Sequence, residues 1–144
     1  MYRKYVIIFL VLISFVKING QSEVGVIYSR SDAQDIFGKV DYSIGMNTDE
    51  IKKILSSTSK VIMFKIYNQK LVILGDERKV LLNQSTYNIN NVDEFRLFSK
   101  SKLEELLMKG LDKYTFIELR NGVLTISNNA YTLEDSFPCP PYCY

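Results

Sequence analysis

From residue 24 onward the apolar and polar positions change period several times, and each change marks an element. Residues 24–29 form a short apolar run of strand length. Ser31 then offers a cap for a brief helix over 32–37, with Asp32 in its first turn and Gly38 just past its end. Residues 40–45 alternate as a strand does. Asn47, with Glu50 three residues on, opens a helix over 48–57 whose Ile51, Ile54 and Leu55 lie in one stripe.

Beyond this helix the runs become β-like. Three apolar stretches, 60–67, 70–75 and 78–83, are separated by Asn68-Gln69 and by Gly75-Asp76-Glu77. Short β-branched and aromatic runs punctuated by turn residues predict an antiparallel meander. A polar, Asn-rich loop precedes a possible strand at 95–99. Ser101 and Glu104 make an S-x-x-E capping box for a helix over 102–109, with Leu103, Leu106 and Leu107 on one face and Gly110 as the stop.

The sharpest local pattern is the segment 114–127. Asn121-Gly122 is the preferred pair for a two-residue type I′ turn, because both positions need positive φ. Closing there pairs Arg120 with Val123, Leu119 with Leu124 and Ile117 with Ile126. Ile117, Leu119, Leu124 and Ile126 then share the core face, continued by Thr115. Glu118, Arg120, Thr125 and Ser127 take the opposite face with Phe116 and Val123. Few short helices among strands that come in hairpin pairs predict an α+β fold. The expectation is one antiparallel sheet of about five to seven strands, with two or three short helices packed on one face.

The first twenty residues do not belong to this domain pattern. Arg3 and Lys4 precede an apolar run from Tyr5 to Val16, and Gly20 offers a small residue before Gln21. This order predicts a signal peptide over 1–20, hence a secreted or periplasmic protein with no membrane span after cleavage. An uncleaved anchor is the alternative, for which the run is short. The domain is then 21–135, followed by a Pro/Cys tail over 136–144.

Removing the leader changes the charge. Of 18 basic residues, Arg3, Lys4 and Lys17 lie in it, leaving 15 against 16 acidic ones. A near-neutral chain without a basic cluster offers no footprint for nucleic acid. The densest basic spots, Lys52-Lys53 and Arg78-Lys79, are flanked by acidic residues and read as solvated surface.

The chain contains no histidine. That excludes Ser-His-Asp and Cys-His catalysis and removes the commonest zinc ligand. No phosphate-cradling glycine motif and no calcium loop occur, so neither cofactor nor metal is expected. Two S-x-x-K spacings occur, Ser57–Lys60 and Ser99–Lys102, a number chance explains; Ser57 sits where a helix ends, and Ser99 lies near a helix start for which Ser101 is the better cap. A hydrolase would have to bring together carboxylates such as Asp32, Asp35, Asp41, Asp76, Glu118 or Asp135.

Ten tyrosines without a tryptophan suggest instead a contact surface, with Tyr131, Phe137, Tyr142 and Tyr144 clustered near the C-terminus. Cys139 and Cys143 stand in the same tail, separated by Pro140, Pro141 and Tyr142. Thiol catalysis, copper(I) ligation, an intermolecular bridge and a local disulfide are the roles open to them. The C-x-x-x-C spacing and the missing histidine disfavour the first two. In an oxidising compartment the short separation favours a ring from Cys139 to Cys143. Its loop entropy is only about 2 kcal/mol, so the ring is expected to shape the tail while its loss barely moves the thermal midpoint. The function expected is a non-enzymatic binding module: an inhibitor, an immunity-type protein or a subunit of a surface assembly. The alternative is a hydrolase using carboxylates or tyrosine.

Overall fold

The computed structural model describes residues 22–143; the expected signal peptide and Tyr144 lie outside them. Among the described residues the order is β1 (Val26–Ser29), α1 (Arg30–Phe37), β2 (Tyr42–Asn47), α2 (Thr48–Leu55), β3 (Val61–Tyr67), β4 (Lys70–Leu74), β5 (Val80–Asn83), β6 (Phe95–Ser99), α3 (Lys100–Gly110), β7 (Tyr114–Arg120), β8 (Val123–Asn128), β9 (Tyr131–Glu134) and β10 (Phe137–Cys139). The α+β class holds, but the strands divide into two antiparallel sheets of five where one sheet was expected. The first sheet runs β1-β9-β8-β7-β2 and the second β10-β6-β3-β4-β5.

The two sheets share one core. Ile117, Leu124, Ile126 and Leu133 of the first sheet meet Ile62, Phe64, Ile73 and Phe98 of the second, with α2 and α3 supplying Ile51, Leu55, Leu103 and Leu106. The reverse face of the second sheet is also buried. Val61, Met63, Val72, Leu74, Phe95 and Leu97 form a second cluster there, covered in part by Val24 and by Tyr87 and Ile89 of the loop before β6. Burial on both faces explains why β3 and β4 read as nearly unbroken apolar runs without alternation.

The β7–β8 hairpin has the expected register: Arg120 pairs Val123, Leu119 pairs Leu124 and Ile117 pairs Ile126. Asn121 and Gly122 both have positive φ, 48° and 80°. The meander also splits at Asn68-Gln69 as expected, both in the left-handed region.

Helix starts differ from the sequence pattern for a tertiary reason. Asn47 does cap α2, accepting from Asp49 N at 2.9 Å. For α1 the cap is Ser29 rather than Ser31, since its hydroxyl accepts from Asp32 N. The Ser101–Glu104 capping box does not form. The helix begins two residues earlier, after Ser99, whose hydroxyl is taken by Val24 N at 2.7 Å. Ser101 donates instead to Glu23, and Glu104 pairs with Lys100.

The largest departure is on the far face of the first sheet. Glu118, Arg120, Thr125 and Ser127 do face away from the apolar core, yet all four are buried. α1 lies over that face instead of joining the other helices. Its first residue, Arg30, donates to Glu118 at 2.9 Å, and Arg120 donates to the carbonyl of Gly38 at its end. Ala33 is fully covered between these two ties.

Candidate functional site: an aromatic knuckle on the second sheet

Residues 136–144 read in sequence as a tail beyond the last strand. In the fold, Phe137, Pro138 and Cys139 form β10 and pair with Leu97, Arg96 and Phe95 of β6. Cys139 is fully buried in the second apolar cluster. Its sulfur lies at disulfide distance from that of Cys143, and neither cysteine is free. Tyr142 N donates to Pro138 O at 3.1 Å, which closes the ring a second time through the backbone. Pro140 and Pro141 fix φ within it.

This knuckle is tied to the body by Arg78. Its guanidinium donates to Cys139 O at 3.1 Å and lies 3.3 Å from Cys139 Sγ. The same group donates to the carbonyls of Asn90 and Asp93 and sits 5.2 Å from the Phe95 ring centre. Arg78 therefore clasps the loop before β6 and the tail together. The sequence reading placed Arg78 as solvated surface within a strand over 78–83. It occupies a 3-10 turn, Asp76–Arg78, with φ of 59°, and β5 starts at Val80. Nothing in its sequence neighbourhood signals this, because the partners of its guanidinium, chiefly backbone carbonyls, all lie at least 12 residues away along the chain.

On the ring stand Phe137 and Tyr142, their ring centres 5.8 Å apart and both substantially exposed, 38% and 55%. The other two aromatic candidates do not join them. Tyr131 lies in β9 with its side chain packed on the main core, and Tyr144 is outside the described residues. Two exposed aromatic rings held at fixed separation offer apolar area with little side-chain entropy left to lose on contact.

The carboxylates named as hydrolase candidates are dispersed, and most hold the fold together. Asp32 lies at the start of α1, accepting from Ser29 Oγ. Asp41 accepts from Asn121 N at the hairpin turn. Asp76 accepts from three consecutive backbone N–H groups, Ser59, Lys60 and Val61, at 2.7 to 3.0 Å. Burial alone would raise its pKa, but these donors together with Thr58 outweigh it and hold the carboxyl below the usual range. Glu118 is enclosed by Arg30, Arg120 and Ser127. Asp35 is exposed on α1.

Asp135 has a phenol companion that the sequence did not single out. Tyr28 OH donates to it at 2.5 Å, and that bond above all pushes the phenol up to about 12. Next to it Glu134 is 4% exposed, and it accepts from Asp135 N and the Ser136 hydroxyl. Desolvation raises the Glu134 pKa above the glutamate range, and the neighbouring Asp135 carboxylate adds to the rise.

A cavity of about 350 Å³ opens elsewhere, between the start of α2 and the end of α3. None of the six candidate carboxylates lines it. Among the described residues no group of three possible metal ligands converges, and no helix is long and apolar enough to cross a membrane. Comparison with protein-family models, curated proteins and solved structures finds no match to this chain.

Proposed function

We propose that the protein is an exported, non-catalytic binding module that meets a protein partner through the Phe137–Tyr142 knuckle. It would serve as an inhibitor, an immunity-type protein or a subunit of a surface assembly. The observation that carries this reading is the aromatic pair held exposed on a closed ring. The clasp from Arg78 ties the ring to the body at Cys139. A paired cysteine tail suits an oxidising compartment, in keeping with export and loss of residues 1–20.

The test begins with protein isolated from its own source. Its mass should correspond to a chain starting near Gln21, and it should retain a partner at fixed stoichiometry. Tyr142→Ser and Phe137→Ser should each weaken that partner by about tenfold or more, the effect of an aromatic anchor in an interface. Both variants should keep the wild-type thermal midpoint within a degree or two, since both rings are exposed. Unchanged partner affinity in both variants overturns the reading, as does an intact Met1 in protein from a membrane pellet.

One arrangement favours the alternative, a hydrolase using carboxylates or tyrosine: Glu134 with a raised pKa beside the Asp135–Tyr28 pair. Against it stands the burial of Glu134, which a substrate could reach only by displacing protein. The carboxyl is accounted for by the sheet junction it occupies.

A further inference from the structure

Part of the lining of the cavity between α2 and α3, Thr48 and residues 111–113, is held from behind by the first sheet. Asn128, fully buried, donates to Thr48 Oγ1, Thr115 Oγ1 and the carbonyls of Asp112 and Tyr114, and accepts from Asp112 N. Asn129 adds a bond to Gly110 O. The segment 110–114, of which residues 111–113 line the cavity, is thereby pinned by Asn128 at the end of β8 and by Asn129 after it.

One wall is at odds with ordinary folding preferences. Leu111 has φ 56° and ψ 22°, a left-handed conformation that costs a branched residue, and it is 83% exposed. Glycine or asparagine would suit the position better on backbone grounds, and a polar residue better on solvation grounds. Leu111 lines the cavity together with the buried Leu107, and Met108 and Tyr114 are exposed on either side of it in the chain.

The charged lining comes in two opposite pairs. Asp49 and Lys52 project from the first turns of α2, 3.7 Å apart. Asp112 and Lys113 face them from the pinned loop, and neither has an ion-pair partner among the described residues. The net charge of the lining is zero, so it does not select a plain anion or cation. It matches a ligand that carries both signs close together beside an apolar group.

We propose that this cavity binds a small zwitterion with an apolar side group, an α-amino acid or a dipeptide. Leu107 and Leu111 take the side group, Lys113 the carboxylate, and Asp49 and Asp112 the ammonium. The size fits, since small-ligand cavities begin at about 300 Å³. This site is separate from the knuckle, and the proposal does not depend on it.

The test is titration of the purified protein with L-leucine and L-phenylalanine, followed through backbone amide NMR shifts. Saturable shifts are expected at residues 48–52 and 111–113 at millimolar ligand. N-acetyl-L-leucine, which lacks the ammonium, and L-leucinamide, which lacks the carboxylate, should each bind about tenfold more weakly, as loss of one charge-assisted contact implies. Lys113→Ala should weaken leucine by a similar factor and leave leucinamide unchanged. Leu111→Gly should abolish the shifts while holding or raising the thermal midpoint, because glycine relieves the left-handed strain. Absence of saturable shifts with either amino acid, or equal binding of the blocked derivatives, overturns the proposal. So does full retention of binding by Leu111→Gly.

Discussion

Gly110 and Gly122 are both glycines at the end of an element, and the structure needs each for a different reason. Gly122 sits at φ 80° in the hairpin turn, and a Cβ there would meet nothing within 4 Å. Its requirement is purely conformational. Gly110 is not in the left-handed region; a Cβ there would overlap the side chain and carbonyl of Asn128. Sequence placed Gly110 at the left-handed stop of the helix, but close approach of Asn128 claims it, and the left-handed position falls to Leu111. Gly122→Ala should therefore cost about 1 kcal/mol in urea unfolding. Gly110→Ala should cost about 3 kcal/mol, at the upper end for overpacking, because it also displaces the Asn128 hydrogen bonds. Equal midpoints for the two variants would contradict this division.

Elements whose periodicity was strong were legible: the β7–β8 hairpin to the residue, the Asn68-Gln69 turn, and the stripe of α2. What sequence could not give was the environment of the second face of each sheet. The far face of the hairpin reads as solvent-facing because Glu118, Arg120, Thr125 and Ser127 are polar, yet α1 covers it and the four bond to one another and to Arg30. Polarity marks exposure only where no partner arrives. Likewise β10, three residues with a proline, carries no period, and only its pairing with β6 makes it a strand. That pairing revises the energetics of the tail. Cys143→Ser, which opens the ring and leaves the Cys139 thiol in place, should lose at most about 2 kcal/mol of loop entropy. Cys139→Ser should lose about 1–3 kcal/mol more, since it sets a hydroxyl in the apolar cluster. Chemical unfolding of both variants separates the two contributions, and identical losses would place Cys139 outside the core. The knuckle's aromatic residues were visible in sequence, but its Arg78 clasp was not.

At the scale of the whole molecule, the chain passes from the first sheet to the second twice, once through α2 and once, between β9 and β10, through only Asp135 and Ser136. Glu134 is buried at this junction, with Tyr28 of β1 bonded to the next residue and Arg96 of β6 bonded to Ser136. Its raised pKa makes its contribution to stability fully present in acid, below the ordinary value of 4.5, and lost as pH rises through the higher folded value. Asp76 acts in the opposite sense: its lowered pKa stabilises above the ordinary range and is lost in acid. Comparing wild type with Glu134→Gln cancels the second effect. From pH 4.5 toward neutrality the wild type should lose stability relative to the variant, and a difference that is flat or rises with pH would refute the assignment. The same junction bears on how the chain comes to be folded at all. β1 has β9 as its partner, Val26 lying opposite Glu134, while β6 finds its outer neighbour only in β10. A growing chain that lacks residues 131–139 leaves β1 without its partner and β6 without its outer neighbour. Both sheets are therefore completed by strands from the C-terminal end, long-range pairings of the kind that slow folding.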